Sequence, residues 1–248
     1  MTLIGNGNMA LSIAKGLKAH YNIEVVGRNM AHLNAFEKTL GVSCSKHDIQ
    51  GFDISNKTIL LCVKPANVEY VGTLLCGNAK TLYSVLAGTS LEALKTHFDA
   101  DAYVRVMPNL AASVGKSMST LTGDITCKEE ALALFNAIGH TLWLSSEKEI
   151  DIATALAGSG PAYLALIAEA LTDGAVKQGI KRDDAMALMR GLFDGFGTLI
   201  QQEHPALIKD GVMSPGGTTA QGYAALEKGS VRASCIEAIE AAYHQTKK

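Results

Sequence analysis

Neither sign of charge dominates this chain. Its 22 Lys and Arg against 24 Asp and Glu leave a formal net charge of −2, which gives no basic footprint for a nucleic-acid backbone. Selectivity must then come from local sites, and small molecules are the expected partners. Cysteine is scarce: Cys44, Cys62, Cys76, Cys127 and Cys235 are scattered and odd in number, with no Cys-x-x-Cys. That pattern argues against a disulfide framework or a structural zinc site and fits reducing cytoplasm. The seven histidines form no His-x-x-x-His cluster, and no serine lies in a Gly-x-Ser-x-Gly elbow, so metal hydrolysis and triad chemistry lack support. A glycine-rich turn from Gly5 leaves no room for a signal peptide, and no uncharged apolar run is expected to reach the length of a bilayer span. A soluble protein without a membrane partner is expected. At 248 residues the chain has room for two modest domains or one large one.

What is present begins at the first residues. "MTLIGNGNMALSIAKGL" reads as a short apolar strand, a turn at Gly5-Asn6-Gly7, and a helix with Met9, Ile13, Ala14 and Leu17 on one face. The motif is Gly-x-Gly-x-x-Ala. Gly5 allows the tight turn, Gly7 lets a pyrophosphate approach the backbone at Asn8 and Met9, and Ala10 stands where helix and strand pack closely. A second strand, "IEVVGRN" at Ile23 to Asn29, follows about twenty residues on. Where an acidic residue at its end would accept from the ribose of NAD, this chain has Gly27, followed by Arg28 and Asn29. The missing carboxylate would not repel a 2′-phosphate, and the guanidinium can fork onto one, so NADPH is expected with NADH as the weaker alternative. The alternatives are a structural glycine turn and an exposed loop arginine.

Further strands are expected at Thr58 to Val63, Thr81 to Gly88 and Ala102 to Met107, with weaker ones near Lys116 to Leu121 and Thr141 to Leu144. Alternation with helices implies a parallel, doubly wound Rossmann-type sheet whose ligand lies at the carboxyl ends of the strands. "VKPAN" (Val63, Lys64, Pro65), "LAGT" (Ala87, Gly88) and "VMPNL" (Asn109) sit at such ends. Each on its own could be an ordinary turn.

From Glu147 the β pattern stops and helical periodicity takes over. This divides the chain into a nucleotide-binding domain, 1–146, and an all-α domain, 147–248, whose apolar stripes suit dimerisation. Ser159-Gly160-Pro161 is expected to separate two helices, with Ser159 as cap and Gly179 as the later stop. Glu169 and Asp173, four apart, read as a solvated helix face and not a catalytic pair. Near the end, "VMSPGGTTAQGYAALE" places a turn at Ser214 to Gly217 before a helix opened by Thr218 or Thr219. Proline and paired glycines favour such a turn, and the free N–H groups at the helix start make an anion site. An ordinary helix start on a tight corner is the alternative.

With Gly-x-Gly-x-x-Ala, "VKPAN", "RVMPN", "AGSGPAY" and "SPGGTT" in this order, the sequence resembles pyrroline-5-carboxylate reductase along essentially its whole length. The resemblance implies hydride transfer from NAD(P)H to the C=N bond of 1-pyrroline-5-carboxylate, giving L-proline in the last step of proline biosynthesis. It implies an interlaced homodimer through the C-terminal helices, and rings of dimers also occur in the family. Carried over by residue, Ser214, Gly216, Gly217 and Thr218 would hold the substrate carboxylate, with N–H groups from Gly217 and Thr218. Thr219 would hydrogen-bond the ring nitrogen, Lys64 and Asn109 would line the nicotinamide side, and Ala87 and Gly88 would form a wall beside it. Thr219 and Lys64 are the residues assigned to catalysis. Two other readings stay open at this point. A hydroxyacid-type dehydrogenase would need a lysine on the first long C-terminal helix, where Lys177 sits late, and a nucleotide sensor would not need the Ser-Pro-Gly-Gly-Thr-Thr turn.

Overall fold

A computed structural model describes residues 1–247. The chain divides into two compact units, one of Met1–Pro161 joined by the residues from Ala241 onward, the other of Ala162–Glu240.

The first unit opens with β1 (Thr2–Ile4), α1 (Asn8–Leu17), β2 (Glu24–Gly27), α2 (Met30–Leu40), β3 (Ser45–Asp48), β4 (Phe52–Asp53) and β5 (Thr58–Leu61). It continues through α3 (Val68–Gly72), β6 (Leu75–Cys76), β7 (Thr81–Ser84), α4 (Leu91–His97), β8 (Tyr103–Met107), β9 (Ser117–Gly123), α5 (Lys128–Asn136), β10 (Gly139–Trp143) and α6 (Glu147–Ala153). Eight strands form one sheet in the order β10-β9-β8-β7-β5-β1-β2-β3, while β4 and β6 pair separately. Successive residues of the central strands go to opposite faces: Leu3, Val25 and Leu60 enter one apolar cluster, and Ile4, Val26 and Leu61 the other. Both clusters are sealed by helices, as a sheet built from parallel crossovers requires.

Three expectations need correction here. The sheet is not parallel throughout, because β9 runs antiparallel to β8, with Val106 opposite Leu121, and β10 then pairs parallel to β9. Only a short 3₁₀ turn, Leu110–Val114, connects β8 to β9, leaving no room for a crossover helix. Ser159 does not cap a new helix. It keeps right-handed helical angles, and its N–H reaches back five residues to the Thr154 carbonyl at 3.0 Å. The chain therefore passes from α6 through a single π-turn, Thr154–Gly158, into α7 (Gly160–Lys177). Pro161 offers no N–H to this continuous stretch, and the carbonyl of Ala157, four residues before it, accepts from the Asn109 side-chain amide at 3.0 Å instead. A third correction follows, since the joined helical stretch Glu147–Lys177 contains an 18-residue window of mean hydropathy 1.4, long and apolar enough to cross a membrane by length and composition.

The second unit holds most of α7, then α8 (Arg182–Leu199), α9 (Pro205–Val212), α10 (Thr218–Lys228) and the greater part of α11 (Val231–Gln245). Gly179, at φ +110°, follows the end of α7 as the sequence suggested. Asp173 is ion-paired with Arg182 at the surface. Leu188, Leu192 and Phe196 lie four residues apart along α8 and are all exposed, an unpartnered stripe on one helix face.

Candidate active site

The crevice of the first unit is built from three strand ends. Gly5 follows β1 at φ +108°, and a Cβ there would stand 2.8 Å from the Cys62 carbonyl oxygen, so no other residue fits the turn. Gly7 caps α1 in an extended conformation, without a side-chain cap and without an acidic residue in the first turn. A Cβ on Gly7 would meet nothing within 4 Å, which leaves the backbone open to a ligand. The first intrahelical bond at this end is Leu11 N–H to Gly7 carbonyl at 3.0 Å. The N–H groups of Asn8 and Met9 at the positive end of the helix dipole therefore remain for an anion.

Gly5, Gly7, Arg28, Lys64, Asn67 and Tyr70 all line this crevice. The Arg28 guanidinium lies over the Tyr70 ring, 5.9 Å from its centroid. That contact holds the charge at the crevice edge without neutralising it. Gly27 is closely packed, its Cβ position 3.1 Å from Leu33 and 3.4 Å from the Asn6 side chain, so a carboxylate would not fit without displacement. The Asn29 Oδ1 accepts from Ala31 N–H at 2.9 Å and His32 N–H at 3.3 Å, leaving its Nδ2 for a ligand. Val63 and Lys64 precede the short turn Pro65–Asn67, in which Asn67 N–H bonds the Lys64 carbonyl at 2.9 Å. Cys62 shares the crevice, but burial pushes its thiol up, away from the reactive thiolate.

At the end of β7, Ala87 and Gly88 are exposed, and Gly88 sits at φ +69°. A Cβ on Gly88 would stand 2.9 Å from the Thr246 carbonyl oxygen, so the chain's end packs against this loop. Asn109, after β8, is buried and its amide is engaged. Oδ1 accepts from Ala111 N–H at 3.0 Å, and Nδ2 donates at 3.0 Å to the carbonyl of Ala157 in the π-turn.

In the second unit, the Ser214–Gly217 turn carries Gly216 at φ +69° and opens α10 with Gly217 as N-cap. The Gly217 N–H closes the turn onto the Ser214 carbonyl at 3.0 Å and so is not uncovered as the sequence suggested. A tight turn bonds its fourth N–H to its first carbonyl. The next intrahelical donor is Gln221, bonded to Gly217 at 3.3 Å, which leaves the N–H groups of Thr218 and Thr219 at an uncapped helix start. The Ser214 Oγ lies 2.4 Å from where a Gly217 Cβ would be, so this glycine also makes room for the serine hydroxyl.

Sequence reasoning missed Tyr70, whose aromatic ring after "VKPAN" gave no motif of its own, and the buried Arg105. The latter had a signal, a charge inside the apolar strand "YVRVM". It is 3% exposed and bonds Glu147 Oε1 at 3.0 Å and Asp151 Oδ1 at 2.7 Å.

Comparison with known proteins agrees with this architecture. The family model described as pyrroline-5-carboxylate reductase dimerisation matches residues 147–248, and one described as NADP oxidoreductase coenzyme F420-dependent matches 1–88. The pyrroline-5-carboxylate reductase of Synechocystis sp. is 38% identical over 98% of this chain and 96% of its own. The crystal structure of 1-pyrroline-5-carboxylate reductase from Streptococcus pyogenes superposes with a TM-score of 0.87 at 29% identity, covering 99% of this chain and 97% of that one. Plasmodium falciparum pyrroline carboxylate reductase, solved with NADP bound, gives a TM-score of 0.83 at 27% identity, covering 99% and 96%. A full-length likeness of this strength, on a chain that carries both the glycine-gated crevice and the Ser-Pro-Gly-Gly-Thr-Thr helix start, means that the chain belongs to the pyrroline-5-carboxylate reductase family.

Proposed function

We propose that this chain reduces 1-pyrroline-5-carboxylate to L-proline with NADPH, NADH serving as the weaker donor, and so completes proline biosynthesis in the cytoplasm. The observation that carries the reading is the Ser214–Gly217 turn, which ends in an uncapped helix start suited to a carboxylate, in a chain whose sheet presents a second uncapped helix start suited to a pyrophosphate. The crevice fits the cofactor on its own chemistry: an open backbone at Gly7, free donors at Asn8 and Met9, and Arg28 where a 2′-phosphate would fall.

When bound, NADPH supplies the hydride. The substrate is a cyclic imine, and its iminium form already carries the proton on nitrogen, so hydride addition at the imine carbon, which becomes Cδ of the product, gives the secondary amine of proline without a further acid. The chain's task is then to bind and orient. Thr218 and Thr219 N–H groups and the Ser214 hydroxyl hold the carboxylate, since the Gly217 N–H is occupied within the turn. Gly216 and Gly217 permit the close approach. The Thr219 hydroxyl accepts from the ring N–H as the nitrogen changes from iminium to amine, and Lys64 lines the nicotinamide side with Val63 and Pro65. Asn109 supports that side through the backbone it bonds. Catalysis is by positioning and electrostatics, with no essential general acid among His, Asp or Glu.

Residues 147–248 act as the dimerisation and substrate-binding region and 1–146 as the nucleotide domain. A second copy covers the exposed stripe of α8 and the apolar surface of α7, so that the membrane-length stretch Glu147–Lys177 faces protein. Rings of such dimers are a further step of assembly, with no nucleic-acid partner. The test is NADPH oxidation followed spectrophotometrically with 1-pyrroline-5-carboxylate, beside 2-oxo acids. Oxidation that depends on the imine is expected. Turnover with oxo acids alone would assign the chain to the hydroxyacid dehydrogenase class.

A further inference from the structure

A carboxylate from α6 reaches back to the loop that follows β7. Glu147 Oε1 accepts from the Leu91 N–H at 2.8 Å and from Arg105 Nη1 at 3.0 Å. Leu91 is the first residue of α4, four positions beyond Ala87, and its N–H is one of the donors a helix start leaves unpaired. The local cap, Ser90, serves Ala93 instead, at 3.1 Å. The Leu91 donor is therefore satisfied from a residue 56 positions away.

Arg105 explains why the carboxylate stays there. A guanidinium buried in a strand needs an opposite charge, and one carboxylate would meet that need. Arg105 has two, Asp151 at 2.7 Å and Glu147 at 3.0 Å. Asp151 bonds Arg105, whereas Glu147 bonds Arg105 and also the loop backbone. The two acids share one charge partner and differ in what else they hold.

We propose that Glu147 is a positioning residue for hydride transfer: anchored by Arg105, it fixes the backbone of the Leu86–Leu91 loop, and with it the wall that Ala87 and Gly88 present to the nicotinamide. The proposal rests on the reading that this wall faces the nicotinamide. Within the loop Leu86 and Thr89 are buried, Ala87 is exposed, and Gly88 is in a left-handed conformation with the Thr246 carbonyl close against it. A small displacement of a surface that seats the reacting ring is sufficient to lower kcat while binding, spread over the whole dinucleotide, persists.

Leu91→Pro isolates the hydrogen bond, because it deletes the N–H at a helix position that accepts proline, and Ser90 already has the extended angles that a following proline demands, φ −74° and ψ 159°. Leu91→Ala controls for the lost side chain. In the dimeric enzyme, Leu91→Pro and Glu147→Ala are each expected to lower kcat about tenfold, with KM for NADPH within about threefold of wild type and a larger isotope effect from 4-deuterated NADPH. Glu147→Gln keeps the acceptor oxygen and is expected to restore most of kcat, and Asp151→Asn, at similar loss of thermal stability, is expected to leave kcat within about twofold. A Leu91→Pro enzyme that matches Leu91→Ala in kcat and isotope effect overturns the proposal, as does a fall in Asp151→Asn equal to that in Glu147→Ala. Ala87→Leu separates the underlying reading. If it leaves both KM for NADPH and kcat unchanged, the wall is not beside the nicotinamide and the reading has failed before the positioning role is reached.

Discussion

Leu3, Ile4, Leu60 and Leu61 at the centre of the sheet have no exposed surface, whereas Leu166, Leu188, Leu207 and Ile236 of the helical unit are each more than half exposed. None of the described residues of α9, α10 and α11 is buried. Both regions carry similar apolar side chains, so hydrophobicity alone does not separate them. The sheet has two faces and enough crossover helices in its own chain to cover both. The helical unit has stripes that its own helices leave exposed, and clustered apolar surface of this kind marks an interaction surface. One region is a finished core. The other, on the reading proposed above, is half of a core completed by a second copy.

The sharpest way to break that comparison is to ask whether the two regions of one chain work with each other or with those of a partner. Gly7→Trp fills the open space above α1, and Gly217→Trp pushes into Ser214, so each variant alone is expected to be inactive. If the active site is shared, coexpression is expected to restore about a quarter of wild-type activity, because half of randomly paired dimers are mixed and one of their two sites is intact. No recovery from verified mixed dimers would mean that each site lies within one chain.

A second experiment acts on the stripe itself. Leu188→Glu with Leu192→Glu would force two charges into a proposed interface, and activity at micromolar protein is expected to fall on the order of a hundredfold as the dimer dissociates. Sedimentation reads the dimer directly. A variant that stays dimeric and active would place the interface elsewhere.

Within the helical unit, Thr219→Val keeps the shape and removes the hydroxyl. It is expected to lower kcat about tenfold, the cost of one hydrogen bond strengthened in the transition state. Wild-type kcat would remove Thr219 from the mechanism. Within the sheet unit, Arg28→Ala is expected to narrow the NADPH over NADH ratio in kcat/KM by about tenfold or less, since an exposed guanidinium is partly screened by solvent. An unchanged ratio would reduce Arg28 to a surface charge. The smallest effect is expected in the closed core. Tyr83 meets Phe135 edge-on at 5.5 Å, and its hydroxyl is buried without a hydrogen-bond partner among the described residues. Tyr83→Phe is expected to be neutral or to stabilise by up to about 1 kcal/mol with activity unchanged, as thermal melting and the standard assay would show. Clear destabilisation would mean that the hydroxyl has a partner.

Much of this was legible from residues near one another in the chain. The turn at Gly5, the helix after Gly7, the strand ending at Gly27 and the helix opening at Thr218 follow from steric rules and periodicities that act over a few residues, and the structure keeps each of them. Gly5 and Gly216 adopt the positive φ that glycine permits. The change from β to helical periodicity near Glu147 was visible for the same reason.

What escaped the sequence depends on partners brought from a distance. The direction of β9 was set by the short connection from β8 and by the neighbour it meets across Val106 and Leu121. Ser159 looked like a cap because capping is a local preference, but the Thr154 carbonyl took its N–H into a π-turn. Nothing near Asn109 in the chain showed that its amide bonds Ala157 as well as Ala111, and the Gly217 N–H was claimed by Ser214. The sequence by itself determined where the backbone turns, which faces are apolar and where helix starts leave backbone donors, since those properties belong to residue types at short spacing. The tertiary structure alone decided which donors remain available and which charges are paired, as Arg105 with Glu147 and Asp151, because a hydrogen bond or a buried ion pair exists only when folding brings both of its members together.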